Sequence, residues 1–414
     1  MNFFVPIFIF IFIFIFLFLF SHQILHISGF GTVGVNYGLN GYNLPKPNED
    51  VNIAYITVGN EVVPGDAAAP FLATAIQNIM QALVNVGVQS DYQGGFGAVG
   101  VNYGLNGDDL PKPDDVVSLY KRCGINIVRI FEPNHGVLDA LKGKENLALW
   151  LGTRNEDIEG FATNQVAANA WVNDNVVPYY KDVNIAYITI GNEVVPNDVA
   201  APFVANAIKN IMQGLVNAGI KSDIKVTTVV AMSALEVSYP PSAGAFTVAA
   251  AGVVKDIATV LGSSGAPILV NVYPYFAYAS NPQQISLSYA LFTSTAPVVV
   301  DGDLQYFNLF DAMVDSFYAA LEKIDAGEVK IEISETGWPS KGNEPFTSLD
   351  NALTYNKNLV KHVTSGVGTP KKPNLPYDAV LFEMFNEDLK AAGAEQNFGF
   401  FYPNMNPVYP FWNC

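Results

Sequence analysis

The sequence predicts an α/β protein: a (β/α)8 TIM barrel, preceded by a signal peptide and a truncated partial repeat. Three observations carry that expectation. Eight apolar, β-branched runs lie between Val99 and Phe385, helical apolar periodicity separates them, and residues 99–414 suit such a barrel with loop insertions. The runs are Val99 to Tyr103, Asn126 to Phe131, Ala148 to Gly152, Ile185 to Gly191, Lys225 to Ala231, Pro267 to Tyr273, Val329 to Ser334 and Ala379 to Phe385. Helical patterns such as Ala201 to Val216 and Leu309 to Ile324 fall between them.

Composition narrows the function classes. Half of the 414 residues are apolar and only 14% are charged, which describes a globular chain rather than a disordered acidic one. The net charge of -17 repels phosphate backbones and anionic lipid, so nucleic acid is excluded as a partner and a neutral or cationic one is favoured. Only Cys123 and Cys414 are present; they do not make a disulfide framework, although one bridge is compatible with an oxidising compartment.

At the front, Phe3 to Phe20 is an unbroken apolar run. Residues 1–28 read as a cleaved signal peptide, with an uncleaved anchor as the alternative supported by the length of the run. Both place the chain on the secretory route; cleavage implies a secreted protein without stable membrane association. Residues 29–94 follow as a broken duplicate. Gly29 to Pro47 returns at Gly95 to Pro113 with 16 of 19 positions identical, and Asp50 to Asp91 returns at Asp182 to Asp223 with 32 of 42 identical. The first copy lacks the intervening stretch and cannot close a barrel, so 95–414 is the expected functional domain and 29–94 a non-functional one.

Two Gly-x-Gly-x-x-Gly matches, at Gly29 and Gly95, precede a strand rather than following one, so they are not a dinucleotide site. Neither a phosphate-binding loop, a nucleophile elbow nor metal-ligand spacing appears, and the expectation is a reaction without cofactor or metal. What remains is acids at strand ends. Gly191-Asn192-Glu193 closes the fourth run, Ser334-Glu335-Thr336-Gly337-Trp338-Pro339 the seventh, and Asn386-Glu387 the eighth. All open on the rim where barrel enzymes place catalytic groups, and two facing carboxyls are the minimum for glycoside hydrolysis. Asn192 suits a sugar 2-hydroxyl, while Tyr103, Tyr273, Phe276 and Trp338 are candidates to stack on sugar rings; Tyr275 and Phe385 read equally well as core.

From Val99 to Trp412 the chain resembles glycoside hydrolase family 17, the plant-type endo-β-1,3-glucanases. Further motifs carry the resemblance: Val101-Asn102-Tyr103-Gly104, Tyr239-Pro240-Pro241-Ser242-Ala243-Gly244-Ala245-Phe246, Asn271-Val272-Tyr273-Pro274-Tyr275-Phe276 and Phe398-Gly399-Phe400-Phe401-Tyr402-Pro403-Asn404. It implies a retaining hydrolase of β-1,3-glucan with Glu193 as acid/base, Glu335 as nucleophile, and Glu387 and Lys390 assisting. Those roles require Glu193 to keep its proton in the more desolvated position while a cation such as Lys390 favours the ionised nucleophile. One departure stands out: Arg129-Ile130-Phe131-Glu132-Pro133-Asn134 lacks the phenol of the family's Arg-x-Tyr-Asp-Pro-Asn, which bears on linkage preference. Gly59-Asn60-Glu61 repeats the acid motif without a partner nucleophile, so Glu61 is expected to be non-catalytic unless the first copy swaps into the barrel. The rival readings are a glucan-binding protein without turnover and a mixed-linkage β-1,3/1,4-glucanase. A monomer is expected.

Overall fold

The structure is a computed structural model that describes residues 97–220, 223–412 and 414. The expected signal peptide, the partial duplicate and Glu61 lie outside the described residues. Eight parallel strands close into a barrel: β1 (Val99–Asn102), β2 (Ile127–Ile130), β3 (Ala148–Gly152), β4 (Asn184–Asn192), β5 (Lys225–Ala231), β6 (Ile268–Asn271), β7 (Ile331–Thr336) and β8 (Ala379–Leu381). Each strand pairs with its neighbours in sequence, and β8 closes onto β1 through Val99↔Ala379 and Val101↔Leu381. Each expected run thus holds or overlaps one strand; four runs end past their strand, two match it, and those of β4 and β7 stop short at Gly191 and Ser334, where the strands continue through register shifts.

Parallel strands need covering helices on the outside and a filled lumen within. The lumen is packed by Ile127, Trp150, Val229, Leu269 and Val380, with Trp150 meeting Tyr187 edge-on at 4.8 Å. The alternate residues face outward into one continuous core beneath the helices. The helix expected over Ala201 to Val216 begins as a 3-10 turn, Ala201–Phe203, and continues as Val204–Asn217; Pro202 sits in the first turn, where its missing N–H costs nothing. Leu309–Lys323 starts at an Asn308 cap that accepts from the Asp311 N–H at 2.8 Å.

Two antiparallel hairpins were not legible beforehand because their strands are two or three residues long: Leu235–Val237 with Ala245–Phe246, and Val299–Asp301 with Leu304–Tyr306. Asp301 ties them together by accepting from the Ser242 N–H and hydroxyl. Among the described residues no helix is long and apolar enough to cross a membrane.

Cys123, just past the helix Pro113–Arg122, is bonded to Cys414, joining the end of the chain to the start of the barrel across 291 residues of sequence. A loop this long restricts the unfolded chain strongly. Replacing Cys414 with Ser should therefore lower the guanidinium midpoint, with a loss on the order of 3 kcal/mol. An unchanged midpoint would show that the bond constrains nothing.

Candidate active site

The site is assembled around one buried cation. Arg129 shares the inward face of β2 with Ile127 and is 1% exposed. A guanidinium so placed needs several acceptors. Its Nη1 donates to Asn102 Oδ1 at 2.9 Å and to Glu335 Oε1 at 2.7 Å, and Nη2 donates to Asn192 Oδ1 at 2.8 Å. The Phe131 ring lies 4.4 Å from its Cζ. One side chain thus ties together the ends of β1, β2, β4 and β7.

A break in register aims Glu335. In β7, Ile333 is opposite Val270 but Glu335 is opposite Asn271, so one extra residue is accommodated at Ser334. Without that bulge, Glu332 and Ser334 on the inward face would send Glu335 outward. With it, Ser334 donates to Asn271 Oδ1 at 2.6 Å while Glu335, 6% exposed, also reaches the lumen. Its second oxygen accepts from the Tyr273 hydroxyl at 2.8 Å. Burial, then the charge of Glu335, hold that phenol well above its usual pKa, so it remains a donor.

The end of β4 is similarly distorted. Register shifts between Thr189 and Asn192, Gly191 takes φ 70°, and Glu193 itself takes φ 55°. A side chain at 191 would be strained and would collide with Val194 and Ile158. A non-glycine residue in this region costs on the order of 1–3 kcal/mol, and such outliers gather at functional sites. Asn271 Nδ2 donates to Glu193 Oε1 at 2.9 Å, so a single amide linked to Ser334 also steadies the opposite carboxyl.

Glu193 is exposed while Glu335 is buried, which reverses the expectation that the acid would occupy the drier position. The cleft walls nevertheless desolvate the Glu193 carboxyl enough to raise its pKa, and repulsion from Glu335 raises it further against the pull of Asn271 and Arg129. Water in the open cleft screens part of this effect, and a bound glycan would displace that water.

Lys390 corrects a second expectation. Its ammonium pairs with Glu383 Oε1 at 2.7 Å and Glu387 Oε2 at 2.8 Å, and the cation that touches Glu335 is Arg129. Burial alone would depress Lys390, but the two carboxyls outweigh it and the net pKa is raised. Glu387 also accepts from the Asn106 N–H at 2.8 Å. Gly104 is required here, because a Cβ would stand 2.4 Å from Glu387 Oε1.

A cleft of about 1010 Å³ is lined among others by Tyr103, Phe131, Asn192, Glu335, Phe382 and Lys390. Tyr103 is nearly buried, with its phenol pushed up to about 12 by burial and then by Glu387, so only its edge meets the cleft. Phe276 is exposed on the rim, 5.3 Å from the Tyr273 ring, and is free to stack. Trp338 is not: it is 0% exposed, packs on Tyr275 and Tyr355, and donates its indole N–H to Phe346 O. The turn after β7 carries the ring away from the cleft into the core.

Arg129, Asn271, Glu383 and Glu395 were not singled out as site residues. A lone Arg inside an apolar run was a usable signal for Arg129, since a buried cation demands partners. Glu395, in the 3-10 turn Ala394–Asn397 60 residues beyond Glu335, adds its charge to the environment of Glu193, and nothing local to it in the sequence announces that.

A family model described as "Glycosyl hydrolases family 17" matches residues 99–412. The chain belongs to that family. It is a glycoside hydrolase. A "Probable glucan endo-1,3-beta-glucosidase" of Arabidopsis thaliana is 47% identical over 316 residues, covering 75% of this chain and 90% of the relative. A glucan endo-1,3-beta-glucosidase of Vitis vinifera is 41% identical over 345 residues, covering 82% and 96%. Among solved structures, a beta-1,3-glucanase and allergen of Cryptomeria japonica pollen has 44% identity and a TM-score of 0.72, covering 77% of this chain and all of that one.

The placement of the two aromatic residues makes opposite predictions. Tyr273→Phe removes a donor to Glu335 and should lower kcat by on the order of 10²-fold with little loss of stability. Trp338→Phe should cost about 2 kcal/mol of stability and leave KM for glucan unchanged. A raised KM in the Trp338 variant, with normal stability, would restore it to the cleft wall.

Proposed function

We propose that this protein is a retaining endo-hydrolase of β-1,3-glucosidic bonds, with Glu335 as nucleophile and Glu193 as acid/base. The observation that carries the reading is the unequal treatment of the two carboxyls. Glu335 is held from both oxygens by a guanidinium and a phenol, whereas Glu193 has a raised pKa and one amide partner. A nucleophile must be ionised and oriented, and an acid must still hold its proton at working pH.

In the first half-reaction Glu193 protonates the glycosidic oxygen as a Glu335 oxygen attacks the anomeric carbon; the bond to the leaving sugar breaks and a glycosyl ester forms. Two of the four lone-pair positions of Glu335 are occupied by Arg129 and Tyr273, which leaves the others for carbon. Glu193, now ionised, takes a proton from water, and that water releases the sugar with its configuration retained. Asn192 lines the cleft with its amide oriented by Arg129 and is suited to the 2-hydroxyl of the reacting sugar. The lining is rich in acids, including Glu132, Glu156, Glu159 and Asp198, which favours an uncharged polysaccharide over an anionic one.

The β-1,3 preference rests on the relatives named above. Phe131 in place of the family's phenol faces the same cleft and packs edge-on against Phe382 at 6.4 Å. This bears on the mixed-linkage alternative, since a missing hydroxyl alters one sugar contact. The leader implies that the enzyme acts outside the cell on wall glucan, and residues 95–414 are taken to be the functional unit.

The test is reducing-end release from laminarin, with barley mixed-linkage glucan in parallel. Glu335→Gln should abolish turnover, and Glu61→Gln in the full chain should leave it intact. For the wild type, kcat/KM should fall as pH rises through the raised pKa of Glu193, above the ordinary carboxylic-acid range of about 4.3. The sign follows from the role, because the protonated form is the active one. Substantial laminarin hydrolysis by the Glu335 variant would overturn the mechanism, and faster cleavage of the barley glucan would overturn the linkage assignment.

A further inference from the structure

Glu383 has no part in the chemistry above, yet it is fully buried against Lys390, which lines the same cleft. It follows β8 by two residues, and its carbonyl accepts from the Phe400 N–H at 3.0 Å. Its Oε1 takes the Lys390 ammonium at 2.7 Å, and its Oε2 has no partner. Glu387, 1% exposed, gives one oxygen to the Asn106 N–H, while its Oε2 has only the ion-pair contact with Lys390. The two carboxyls crowd together: a Cβ on Gly104 would lie 2.7 Å from Glu383 Oε2 and 2.4 Å from Glu387 Oε1.

Charge does not balance in this cluster as drawn. Two carboxylates, both nearly without exposure, around one ammonium leave one buried negative charge without a counter-ion, which is costly. One proton held between the acids removes the excess and supplies the hydrogen bond that the bare Glu383 oxygen lacks. The ammonium also rests 4.1 Å over the Phe382 ring, whose face borders the cleft.

We propose that Glu383 is a positioning residue: as a neutral acid sharing one proton with Glu387, it gives Lys390 a second tether and holds the ammonium at the cleft floor. The proposal deepens the hydrolase reading and rests on it. Without that tether the ammonium, which lines the same cleft as Glu335, is free to compete for the lone pairs that must attack carbon. The surroundings favour the neutral form. Burial raises the Glu383 carboxyl well above its usual range, Glu387 adds to the shift and Lys390 opposes it. The other titratable groups facing it are the phenols of Tyr120 and Tyr273, both held protonated chiefly by burial. Tyr103 stands beside Glu387 and is likewise raised. Because the two acids are coupled, the proton belongs to the pair.

The experiment uses the full chain with Glu383→Gln and Glu383→Leu, following thermal midpoint against pH and the kcat and KM for laminarin. A raised acid pKa in the folded state means that the wild type loses stability as pH climbs from the ordinary carboxylic-acid value toward the raised one. Gln does not titrate. The Gln variant should therefore match the wild type near pH 4.5 and exceed it by a growing margin toward pH 8. The Leu variant should lose kcat by up to about 10²-fold with KM little changed, and Gln should recover most of that loss. A Gln variant that becomes less stable than the wild type as pH rises would show that Glu383 is ionised, and would overturn the proposal. A Leu variant with wild-type kcat would do the same; should Leu fail to fold, the Gln stability series still decides. Failure of the hydrolase reading looks different: the wild type itself would release no laminarin product, while the stability series would be unaffected.

Discussion

The contact between Arg129 and Glu335 is the constraint from which the rest of the cleft follows. A guanidinium and a carboxylate, 1% and 8% exposed at their side chains, meet at 2.7 Å inside a barrel whose lumen is otherwise filled by Trp150, Val229 and Leu269. Desolvating both ions is tolerable only when most of their donors and acceptors are used; both Arg129 Nη groups and both Glu335 oxygens are, while the buried Arg129 Nε has no partner. That requirement accounts for Asn102, Asn192 and Tyr273 in turn, each of which takes one hydrogen bond from the pair or gives one to it. It also accounts for the bulge at Ser334, without which the carboxylate would point into the helical layer. The strained end of β4 meets the same need from the opposite side by presenting Asn192 to the cation while Glu193 stays exposed beside it.

Charge in the cleft is divided into two separate neutralisation problems. One cation, Arg129, serves Glu335, and another, Lys390, serves the pair of acids behind Phe382. Keeping the two apart lets the negative charge of Glu335 add to the desolvation that raises the Glu193 carboxyl, while Lys390, Glu383 and Glu387 form a cluster of their own. The open part of the trough keeps its surplus of acids, which matches an uncharged polymer and the negative charge of the whole chain.

The barrel was legible because its strands, though short, lie in apolar runs separated by periodic helices, so period and order agreed at every step. Glu193 and Glu335 stand out in the sequence because strand-end acids beside Gly and Asn or Thr and Gly are local patterns. The partners of those acids do not. Asn271, Arg129 and Glu383 reach the site through register, and register shifts at Ser334 and at Gly191 leave no mark on a pattern of apolar residues. The reading of Trp338 failed for a related reason. An aromatic residue next to a catalytic acid looks the same in sequence whether the turn carries it into the cleft or, as here, into the core against Tyr275. Cys123 and Cys414 sit 291 residues apart, and only the closure of the barrel brings the helix after β1 back to the end of the chain.

The central claim is that Arg129 and Glu335 form one buried unit. A double-mutant cycle with Arg129→Met and Glu335→Gln, read by guanidinium unfolding, measures it directly. Breaking a buried pair from one side leaves an uncompensated charge and should cost about 3–5 kcal/mol, so the double variant should lose far less than the sum of the two single ones. Additive losses would contradict the account.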